Sequence, residues 1–429
     1  MTMTGKPSAG LMLMLMLITG QASAMIGLRP IGVTAASRAM AGTGVASWYN
    51  GYDAVYKNPA LLAISPRQSG QTDVSFGMMA GRFTSRARSN YDPVSDWQYP
   101  EGSGDAVFPS GIGGSHRWSG DFAFGVGFYG GGGGADYGDN EVVQGARSLT
   151  VAFSLIPAMA MRLGENWAAG IALNASQVTT EASSLHWISG IREETGGETM
   201  SYGYQLGLAG QLRPDLRIGF YLQPPMTSSI PEARDFYESE LRLRGERRDT
   251  VMFTALPLEV AAGADWQLSA ALRLVSEVRF LQWSEAEFLK QIGWDDQVAV
   301  SLAGEYMWGD HGLRLGYIYC NEASDNVKGT AEDGLVNINF QGHPLPQVAL
   351  AAIASLSGIG VTKEHYTMGT THVLSETLRL DTGLVYMAPG RITRNGSTQT
   401  ADPQAPDLYG WSSEFTATTL SAELTWIID

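Results

Sequence analysis

The chain has 429 residues and a formal net charge of −15, with 28 Lys and Arg against 43 Asp and Glu. This acidic balance argues against nucleic-acid binding, because a polyphosphate backbone attracts cations and repels anions. Cys320 is the only cysteine, so no internal disulfide can form. The 52 glycines and a mean hydropathy of −0.07 suit a β-rich wall with a polar interior, and they do not suit a bundle of membrane helices.

Residues 1–24 have the three parts of a secretory signal peptide. Lys6 supplies the positive n-region, Leu11 to Ile18 is an unbroken apolar run, and Ala22-Ser23-Ala24 offers small residues for cleavage. The run is too short for a membrane span, which needs about 20 apolar residues. We therefore expect the chain to be exported and cleaved after Ala24. The rest of the sequence has no apolar stretch long enough for a transmembrane helix.

Residues 25–70 do not show the alternation of a β-strand. They are rich in small side chains between Ala35 and Ala46, and they contain an Asn-Pro turn at Asn58-Pro59. A segment of this length at the N-terminus of a wide barrel can fold into the lumen. We predict that it forms a hatch, unless the barrel is an open porin.

The remainder, residues 71–429, alternates apolar and polar residues with period two in many places. Leu378 and Leu380, for example, fall on one face of a strand, whereas Arg379 and Asp381 fall on the other. The predicted strands are 72–85, 106–118, 121–130, 148–162, 167–182, 200–213, 216–225, 249–265, 271–283, 296–307, 312–321, 363–374, 377–387 and 414–428. This gives about 14 antiparallel strands, an all-β fold.

Alternation alone does not separate a soluble sandwich from a membrane barrel, but the connections do. Short turns at 119–120, 163–166, 214–215, 266–270, 308–311 and 375–376 alternate with long polar segments near 86–105, 131–147, 183–199, 226–248, 284–295, 322–362 and 388–413. Short periplasmic turns and long external loops are typical of bacterial outer-membrane barrels. The tryptophans agree with an interfacial girdle, since Trp118, Trp167, Trp266 and Trp308 lie beside short turns and Trp426 lies near the end of the last strand. The alternative interpretation is that these tryptophans are ordinary aromatic residues of the strands.

The ordered motifs of the chain resemble those of the FadL-type outer-membrane transporters of long-chain fatty acids and aromatic hydrocarbons. The main resemblance lies in Gly27-Leu28-Arg29, Ala39-Met40-Ala41-Gly42-Thr43-Gly44 and Val55-Tyr56-Lys57-Asn58-Pro59-Ala60-Leu61. Weaker similarities lie in Leu155-Ile156-Pro157-Ala158-Met159-Ala160, Tyr221-Leu222-Gln223-Pro224-Pro225-Met226, Leu256-Pro257-Leu258-Glu259, Gln282-Trp283-Ser284 and His365-Tyr366-Thr367-Met368-Gly369. The chain departs from the pattern at Leu61, where a glycine is common, and at its non-aromatic end, Asp429.

The resemblance implies a transmembrane barrel of 14 strands closed by an N-terminal hatch in which Asn58, Pro59 and Ala60 form the characteristic motif. It also implies that a hydrophobic ligand is captured at an external groove and leaves sideways through a gap at a kinked strand. The implied location is the Gram-negative outer membrane, with lipid and lipopolysaccharide as surroundings. The protein is expected to be a monomer.

The strand from Asp121 to Gly130 carries Gly125, Gly127 and Gly130 and leads into a run of five glycines that ends at Gly134. Glycine eases a bulge or bend, so we predict the side opening here. Two alternatives remain open. The glycines can accommodate bulky aromatic neighbours, or the run can be a flexible external loop.

Candidate ligand-binding residues fall in two groups. The lumen-facing Arg273, Arg279, Arg314 and Arg379 could bind a fatty-acid carboxylate, or they could pair with Glu277, Glu305, Asp381 and Glu423 of neighbouring strands. The apolar Leu185, Trp187 and Ile188, with Ile191, could form a capture surface in an external loop, or pack that loop onto the rim.

No catalytic, metal or cofactor motif is evident in the sequence. The six histidines include no His-Glu-x-x-His pattern, and there is no Gly-x-Ser-x-Gly elbow. We therefore expect a protein that is not an enzyme and needs no cofactor. The leading hypothesis is passive transport of hydrophobic molecules, and the alternatives are a general diffusion porin or a surface-exposed binding protein.

Overall fold

The computed structural model describes residues 25–26, 29–90, 101–136, 147–183, 194–231, 251–286, 289–290, 293–323, 337–340, 343–346, 362–395 and 410–429. Fourteen of its strands close into an antiparallel barrel, which confirms the predicted fold class. None of the helices within these ranges is both long enough and apolar enough to cross a bilayer.

The N-terminal segment, residues 25–70, contains short elements only. Strands β1 (Met25–Ile26) and β2 (Arg29–Pro30) pair with each other. Helix α1 (Ala35–Ala39), helix α2 (Gly51–Lys57) and the 3-10 helix η1 (Pro59–Ile64) follow. The segment therefore lacks the extended strands of the wall, as its sequence pattern predicts.

The barrel strands come next, together with two short ribbons. In chain order the strands are β3 (Thr72–Asn90), β4 (Glu101–Arg117), β5 (Phe122–Asp136), β6 (Arg147–Leu163), β7 (Trp167–Ser183), β8 (Glu194–Arg213), β9 (Leu216–Gln223), β10 (Met226–Pro231), β11 (Val251–Leu256), β12 (Glu259–Gln267), β13 (Leu272–Leu281), β14 (Gln297–Trp308), β15 (His311–Cys320), β16 (Asn337–Phe340), β17 (His343–Pro346), β18 (Glu364–Ser375), β19 (Leu378–Asn395) and β20 (Gly410–Ile428). A 3-10 helix, η2 (Trp283–Glu285), follows β13. Strands β10 with β11 and β16 with β17 form the ribbons, outside the barrel ladder.

Each barrel strand pairs with its neighbours in the chain, and β20 closes the wall against β3 from Gly410↔Asn90 to Ile428↔Thr72. Short turns and long connections alternate around the barrel, so all the short turns lie at one end. The N-terminal segment joins β3 at that same end, and the chain finishes there at Asp429. The parity of loop lengths seen in the sequence is therefore a property of the fold.

Two parts of the strand prediction are wrong. Residues 249–265 are not one strand, because β11 stops at Leu256 and Pro257 has no N–H to donate to a ladder. The facing strand β9 likewise stops before the Pro224-Pro225 pair. The glycine run is not a loop, because Gly130 to Gly134 belong to β5 and pair with β6 from Phe153 to Leu149.

The wall is apolar on its outer face and polar on its inner face. Along β14, Val298, Val300 and Leu302 are exposed, whereas Gln297 and Ser301 on the other face are buried. Exposed tryptophans lie near the short turns, at positions 118, 266, 308 and 426. A soluble sandwich would bury the apolar face, so this inverted alternation is the pattern of a transmembrane barrel.

The main cluster of buried hydrophobic residues lies inside the barrel. It combines residues of the N-terminal segment, such as Tyr52, Val55 and Leu62, with small inward residues of the wall such as Ala123 and Ala172. The N-terminal segment thus packs against the inner surface of the strands, where a membrane barrel has no other source of a packed core.

Candidate functional site

Side-chain caps define the turns of the N-terminal segment. Thr34 and Ser37 form a capping box at the start of α1. Asn50 accepts a hydrogen bond from the Asp53 N–H at the start of α2, over 2.8 Å. Asn58 ends α2 and also caps η1 by accepting from the Ala60 N–H. These caps stabilise helices that are too short to persist alone in water.

The Asn-Pro-Ala motif joins the N-terminal segment to the wall. The Asn58 amide donates to the Val45 carbonyl over 2.6 Å and to the Leu208 carbonyl of β8 over 3.1 Å. Pro59 and Ala60 lie against the backbone of Gly170 in β7, where a Cβ would come within 2.5 Å of the Ala60 nitrogen. The three predicted hatch residues are therefore together, buried, and in contact with two strands.

Inward-facing glycines of several strands lie against the backbone or side chains of the N-terminal segment. The nearest contacts of a Cβ at these positions would be atoms of the segment, and the glycines are Gly113 in β4, Gly125 in β5, Gly170 in β7, Gly207 in β8, Gly219 in β9, Gly263 in β12 and Gly383 in β19. Only a residue without a side chain allows so close an approach. The wall thus forms a close-fitting seat for the segment.

All four predicted ligand-binding arginines are paired with protein carboxylates. Arg279 bonds Glu277 over 2.9 Å and Glu259 over 3.2 Å. Glu259 is shared with Arg29 of the N-terminal segment, whose Nε lies 2.6 Å from its Oε2. Of the two possibilities that the sequence left open for these arginines, pairing with protein carboxylates is therefore the one found in this part of the interior.

The other three arginines form a row of paired charges with carboxylates, and the residues of this row come from five strands. Arg273 bonds Asp265 over 2.9 Å and Glu305 over 3.2 Å. Arg314 lies between Glu305 and Asp381, 2.7 Å from each. Arg379 bonds the same Asp381 over 2.8 Å and donates to the Tyr49 carbonyl over 2.7 Å. Through Arg379, these paired charges also contact the N-terminal segment.

Glu423 does not pair with one of the four arginines by a hydrogen bond. It accepts hydrogen bonds from the Asn50 amide and from the Ala35 N–H, the latter over 3.3 Å. The sequence did not single out Arg29, Asn50 or Glu259 as anchoring residues. Glu259 stands in a motif shared with the similar family, and that motif was the available signal.

Among the titratable groups of the N-terminal segment, Asp53 and Lys57 have pKa values that are shifted toward neutrality by their surroundings. Burial raises the pKa of Asp53 to about 6, although hydrogen bonds from Ser37 and Thr34 and the charge of Lys57 oppose it. One carboxylate oxygen of Asp53 has no hydrogen-bond partner. Burial and the neighbouring Arg279 lower the pKa of Lys57 to about 8, against the attraction of Glu277. Charge is therefore costly in the interior of this segment.

In the described part of the wall, the adjacent strands β4 and β5 part over a stretch of their length. The ladder between β4 and β5 runs from Arg117↔Ala123 to Gly111↔Tyr129 and ends there. Beyond that point β4 continues to Glu101 paired with β3, and β5 continues to Asp136 paired with β6. We call the stretch between residues 101–110 of β4 and 130–136 of β5 the β4–β5 split.

The backbone is irregular at the base of the split, and the irregular strand is β4. Ser110 is an extra residue between the pairs Gly77↔Gly111 and Met78↔Pro109, which makes a bulge. Gly111 has a φ of +146°, a conformation that favours glycine. In contrast, β5 pairs with β6 without a shift of register from Phe122 to Asp136. The bend expected within β5 therefore lies one strand earlier.

The predicted glycines of β5 make room for side chains. A Cβ at Gly125 would come within 2.5 Å of Val55 Cγ2, and one at Gly127 would overlap the ring of Tyr129. Gly130 begins the part of β5 that borders the split and pairs with Phe153 of β6. Gly125 and Gly127 therefore accommodate bulky neighbouring side chains, which is one of the alternatives that the sequence left open.

Tyrosines fill the inner side of the split at its base. Tyr52 and Tyr129 stack with ring centroids 4.5 Å apart, and Tyr56 lies 5.0 Å from Tyr129. The Tyr129 hydroxyl donates to the Tyr52 carbonyl over 2.6 Å, and the Tyr52 hydroxyl donates to the Ser110 carbonyl over 2.8 Å. The tyrosines thereby link β5 to β4 where the ladder stops.

The predicted capture residues Leu185, Trp187 and Ile188 lie outside the described residues. Within the described part of the chain, no group of three or more His, Cys, Asp or Glu could hold a metal ion. The features described above that could form a route for a ligand are the β4–β5 split, Tyr52, Tyr56 and Tyr129 at its base, and the N-terminal segment. Together they are the candidate site.

These features define a class: 14-stranded barrels with an apolar exterior whose own N-terminal segment packs inside. Within that class the chain has the fold of the FadL-type channels. It is similar to the P. putida toluene transporter TodX, with a TM-score of 0.63 and 14% identity over 92% of this chain and 98% of that chain.

Two further solved structures are similar over nearly their whole length. A Pseudomonas aeruginosa FadL homologue has a TM-score of 0.67 and 12% identity, covering 94% of this chain and 99% of its own. The Ralstonia pickettii toluene transporter TbuX has a TM-score of 0.59 and 14% identity, covering 92% and 98%. No protein-family profile and no curated protein sequence matches the chain.

Proposed function

We propose that this protein is an outer-membrane transporter that takes up hydrophobic small molecules and releases them sideways through the β4–β5 split. The observation that carries the proposal is the end of the β4–β5 ladder at Gly111↔Tyr129 in a barrel whose interior is occupied by residues 25–70. The proposed route leads a ligand from outside through the wall at the split, because the N-terminal segment packs inside the barrel.

The proposal assigns residues 1–24 to a signal peptide, 25–70 to a hatch and 71–429 to the barrel. The apolar outer face and the exposed tryptophans support a location in the outer membrane, with lipid and lipopolysaccharide as neighbours. Burial of Ala36, Leu61 and Tyr52 to 0% exposure supports a seated hatch. A general diffusion porin needs an open lumen, so this packing favours the transporter.

The ligand is proposed to be a fatty acid or an aromatic hydrocarbon. Solved proteins of the same fold include two described as toluene transporters and one FadL homologue. Arg273, Arg279, Arg314 and Arg379 are neutralised by protein carboxylates, so they supply no separate reason to prefer a fatty-acid carboxylate. Sideways release suits either ligand, because it avoids both the aqueous lumen and the polar periplasm. No chemical transformation of the ligand is proposed.

A disulfide across the split tests the route. In a Cys320→Ala background, Val107→Cys and Gly133→Cys would face each other if the ladder continued in register beyond Gly111↔Tyr129. We expect the oxidised double variant to lose uptake of radiolabelled toluene or oleate in cells that lack the native protein. Reduction should restore the uptake.

A matched pair controls for the presence of a disulfide in the same wall. His116 and Phe124 are cross-strand neighbours in the paired part of the β4–β5 ladder. Their replacement by cysteine and oxidation should leave uptake unchanged. Full uptake with the split shown to be cross-linked would exclude the lateral route and favour release at the periplasmic end.

A further inference from the structure

Arg38 is a buried arginine of the N-terminal segment. It lies in α1 with 5% exposure, and its Nη1 atom has no hydrogen-bond partner. Among the residues that the structure describes, no carboxylate forms an ion pair with its guanidinium. Burial removes the water that would solvate the charge, so a buried guanidinium without a counter-ion is costly. The position is therefore one that a bound anion would stabilise.

Arg29 of the same segment shows what a counter-ion does at an equally buried position. Its exposure is also 5%, but Glu259 Oε2 lies 2.6 Å from its Nε. For Arg29, burial is outweighed by the attraction of Glu259, and the pKa is raised. For Arg38, burial is the larger effect, and the pKa is lowered despite the attraction of Tyr52 and other neighbours. The two arginines therefore differ in the partner and not in the depth of burial.

The carboxylates that attract Arg38 bond other groups. Glu423 of β20 accepts a hydrogen bond from the Asn50 amide. Asp53 of α2 accepts one from the Thr34 hydroxyl over 3.1 Å. Both bonds belong to the caps that define the turns of the N-terminal segment. The protein thus uses these carboxylates to hold its own backbone, and the guanidinium is left for a partner from outside.

The guanidinium lies beside the tyrosines at the base of the β4–β5 split. Tyr52 and Tyr56 of α2 are both close enough to Arg38 to interact with it electrostatically. Tyr52 also stacks on Tyr129 of β5, and its hydroxyl donates to the Ser110 carbonyl of β4. Tyr56 is only partly buried. A cation next to aromatic faces suits a ligand that has one anionic end and an apolar remainder.

We propose that Arg38 is the headgroup site of the transported ligand, and that this ligand is a hydrophobic carboxylic acid. The Arg38 guanidinium binds the carboxylate through charge-assisted hydrogen bonds, and the apolar part lies against Tyr52 and Tyr56. The inference rests on the proposed function, because it takes the transported ligand as the occupant. It narrows that ligand to an acid, because a neutral hydrocarbon would leave the guanidinium without a counter-ion.

Two ligands with the same hydrocarbon chain test the site on the purified protein in detergent. Radiolabelled oleate should bind more tightly than radiolabelled oleyl alcohol, which has no charge. Arg38→Gln should weaken the binding of oleate by roughly 10- to 150-fold, the value of a hydrogen bond to a charged group, and should change the binding of oleyl alcohol little. Arg38→Lys keeps the charge and should retain part of the preference. Each ligand enters the detergent equally in all variants, so the comparison between variants does not depend on it.

The other buried arginine of the segment provides a matched control. Arg29→Gln removes a guanidinium that a protein carboxylate already neutralises, so it should change the affinities for oleate and oleyl alcohol to the same extent. Heat-modifiable gel mobility shows whether each variant is folded. Thermal unfolding of the native protein with oleate, oleyl alcohol or sodium phosphate separates a lipid carboxylate from an inorganic anion, because a ligand that binds the folded state raises its stability. Oleate should give the largest increase.

The outcomes separate the acid site from the transport function. Equal affinities of the native protein for oleate and oleyl alcohol, or an oleate affinity that Arg38→Gln leaves unchanged, would show that water alone satisfies the guanidinium and would overturn the site. An equal stabilisation by phosphate would overturn it in favour of an inorganic anion. If Arg38→Gln does not fold, the comparison of the three ligands on the native protein decides. Uptake of toluene by cells without any preference for oleate in binding would keep the proposed function and reject the acid site. Tight, Arg38-dependent binding of oleate without uptake of either ligand would keep the site and reject transport.

Discussion

Charged side chains inside the barrel are compensated by neighbours in nearly every case that the structure describes. Arg279 has two carboxylates, and Arg314 has two. Asp53 is different, because one of its oxygens lacks a partner and it is fully buried. Burial favours the protonated form of a carboxylate, and for Asp53 it outweighs the hydrogen bonds and the Lys57 charge, so its pKa is raised to about 6.

Asp53→Asn should change how stability depends on pH. Because the folded pKa is about 6 and the ordinary value is 3.8, the folded protein binds more protons between these values. Stability contributed by Asp53 is therefore present below pH 4 and is lost as the pH rises through about 6. We expect the native protein to lose roughly 1–3 kcal/mol over that window relative to the variant. Thermal unfolding followed by heat-modifiable mobility measures the difference.

Asp310→Asn is the control for this pH dependence, since Asp310 lies in an exposed turn. It should keep the slope of the native protein. A slope in Asp53→Asn equal to that of the native protein would contradict the raised pKa.

The sequence could predict that the interior arginines pair with carboxylates, but it could not predict which carboxylate each arginine contacts. Period-two alternation places Arg273, Glu305 and Arg314 on the inner face, and cross-strand pairs on one face attract. The register that puts Arg273 opposite Glu305, and Glu305 opposite Arg314, comes from the structure. Glu259, which also bonds Arg279, pairs with Arg29 at a separation of 230 positions, and no local pattern encodes that pair.

Strands with glycine on their inner face determine how closely the N-terminal segment approaches the wall. In a strand interior, glycine usually weakens pairing and offers nothing to pack. Here Gly170 of β7 lies against Pro59 and Ala60 at distances that only a hydrogen side chain permits. The segment and the glycines therefore form one packing unit.

Gly170→Val should loosen the N-terminal segment. Its Cβ would lie 2.5 Å from the Ala60 nitrogen and the Pro59 carbonyl carbon, both backbone atoms that cannot move independently. Overpacking of this kind costs about 1–3 kcal/mol. We expect residues 25–70 to become sensitive to added protease and the protein to conduct ions in planar bilayers. A variant that is as resistant and as closed as the native protein would show that the seat is not tight.

Gly304→Val is the control, because Gly304 lies on the outer face of β14. The atom nearest to its added Cβ is Leu274 Cδ2 at 3.3 Å, the end of a flexible side chain. This variant should remain closed and protease-resistant.

The positions of the strands could be predicted to within a few residues where alternation is strict, as in β7 and β13. The prediction was wrong where the backbone chemistry changes without a change in hydrophobic pattern. Pro257 interrupts a mainly apolar run that extends on both sides of it. The five glycines ending at Gly134 carry no pattern at all, yet β6 pairs with them through backbone groups that every residue has. The bulge at Ser110 likewise depends on the register between β3 and β4, which the hydrophobic pattern does not specify.

The whole barrel has a direction, because all short turns are at one end and all long connections at the other. A chain exported through the inner membrane reaches the outer membrane from the periplasm, so short periplasmic turns and long external loops are the expected arrangement. Both ends of the barrel chain, at Thr72 and Ile428, then lie on the periplasmic side. This orientation also places the β4–β5 split, which is at the long-connection end, in the outer half of the wall.

Single cysteines in a Cys320→Ala background test the orientation. Gly120 lies in the short turn between β4 and β5, and a Cβ there would meet nothing within 4 Å, so Gly120→Cys is accessible without strain. Gly396→Cys lies in the long connection between β19 and β20. We expect a membrane-impermeant maleimide to label position 396 in intact cells, and position 120 only after the outer membrane is permeabilised. The reverse pattern would invert the barrel. It would then place the β4–β5 split in the periplasmic leaflet, and a ligand arriving from outside would meet the N-terminal segment before it reached the split.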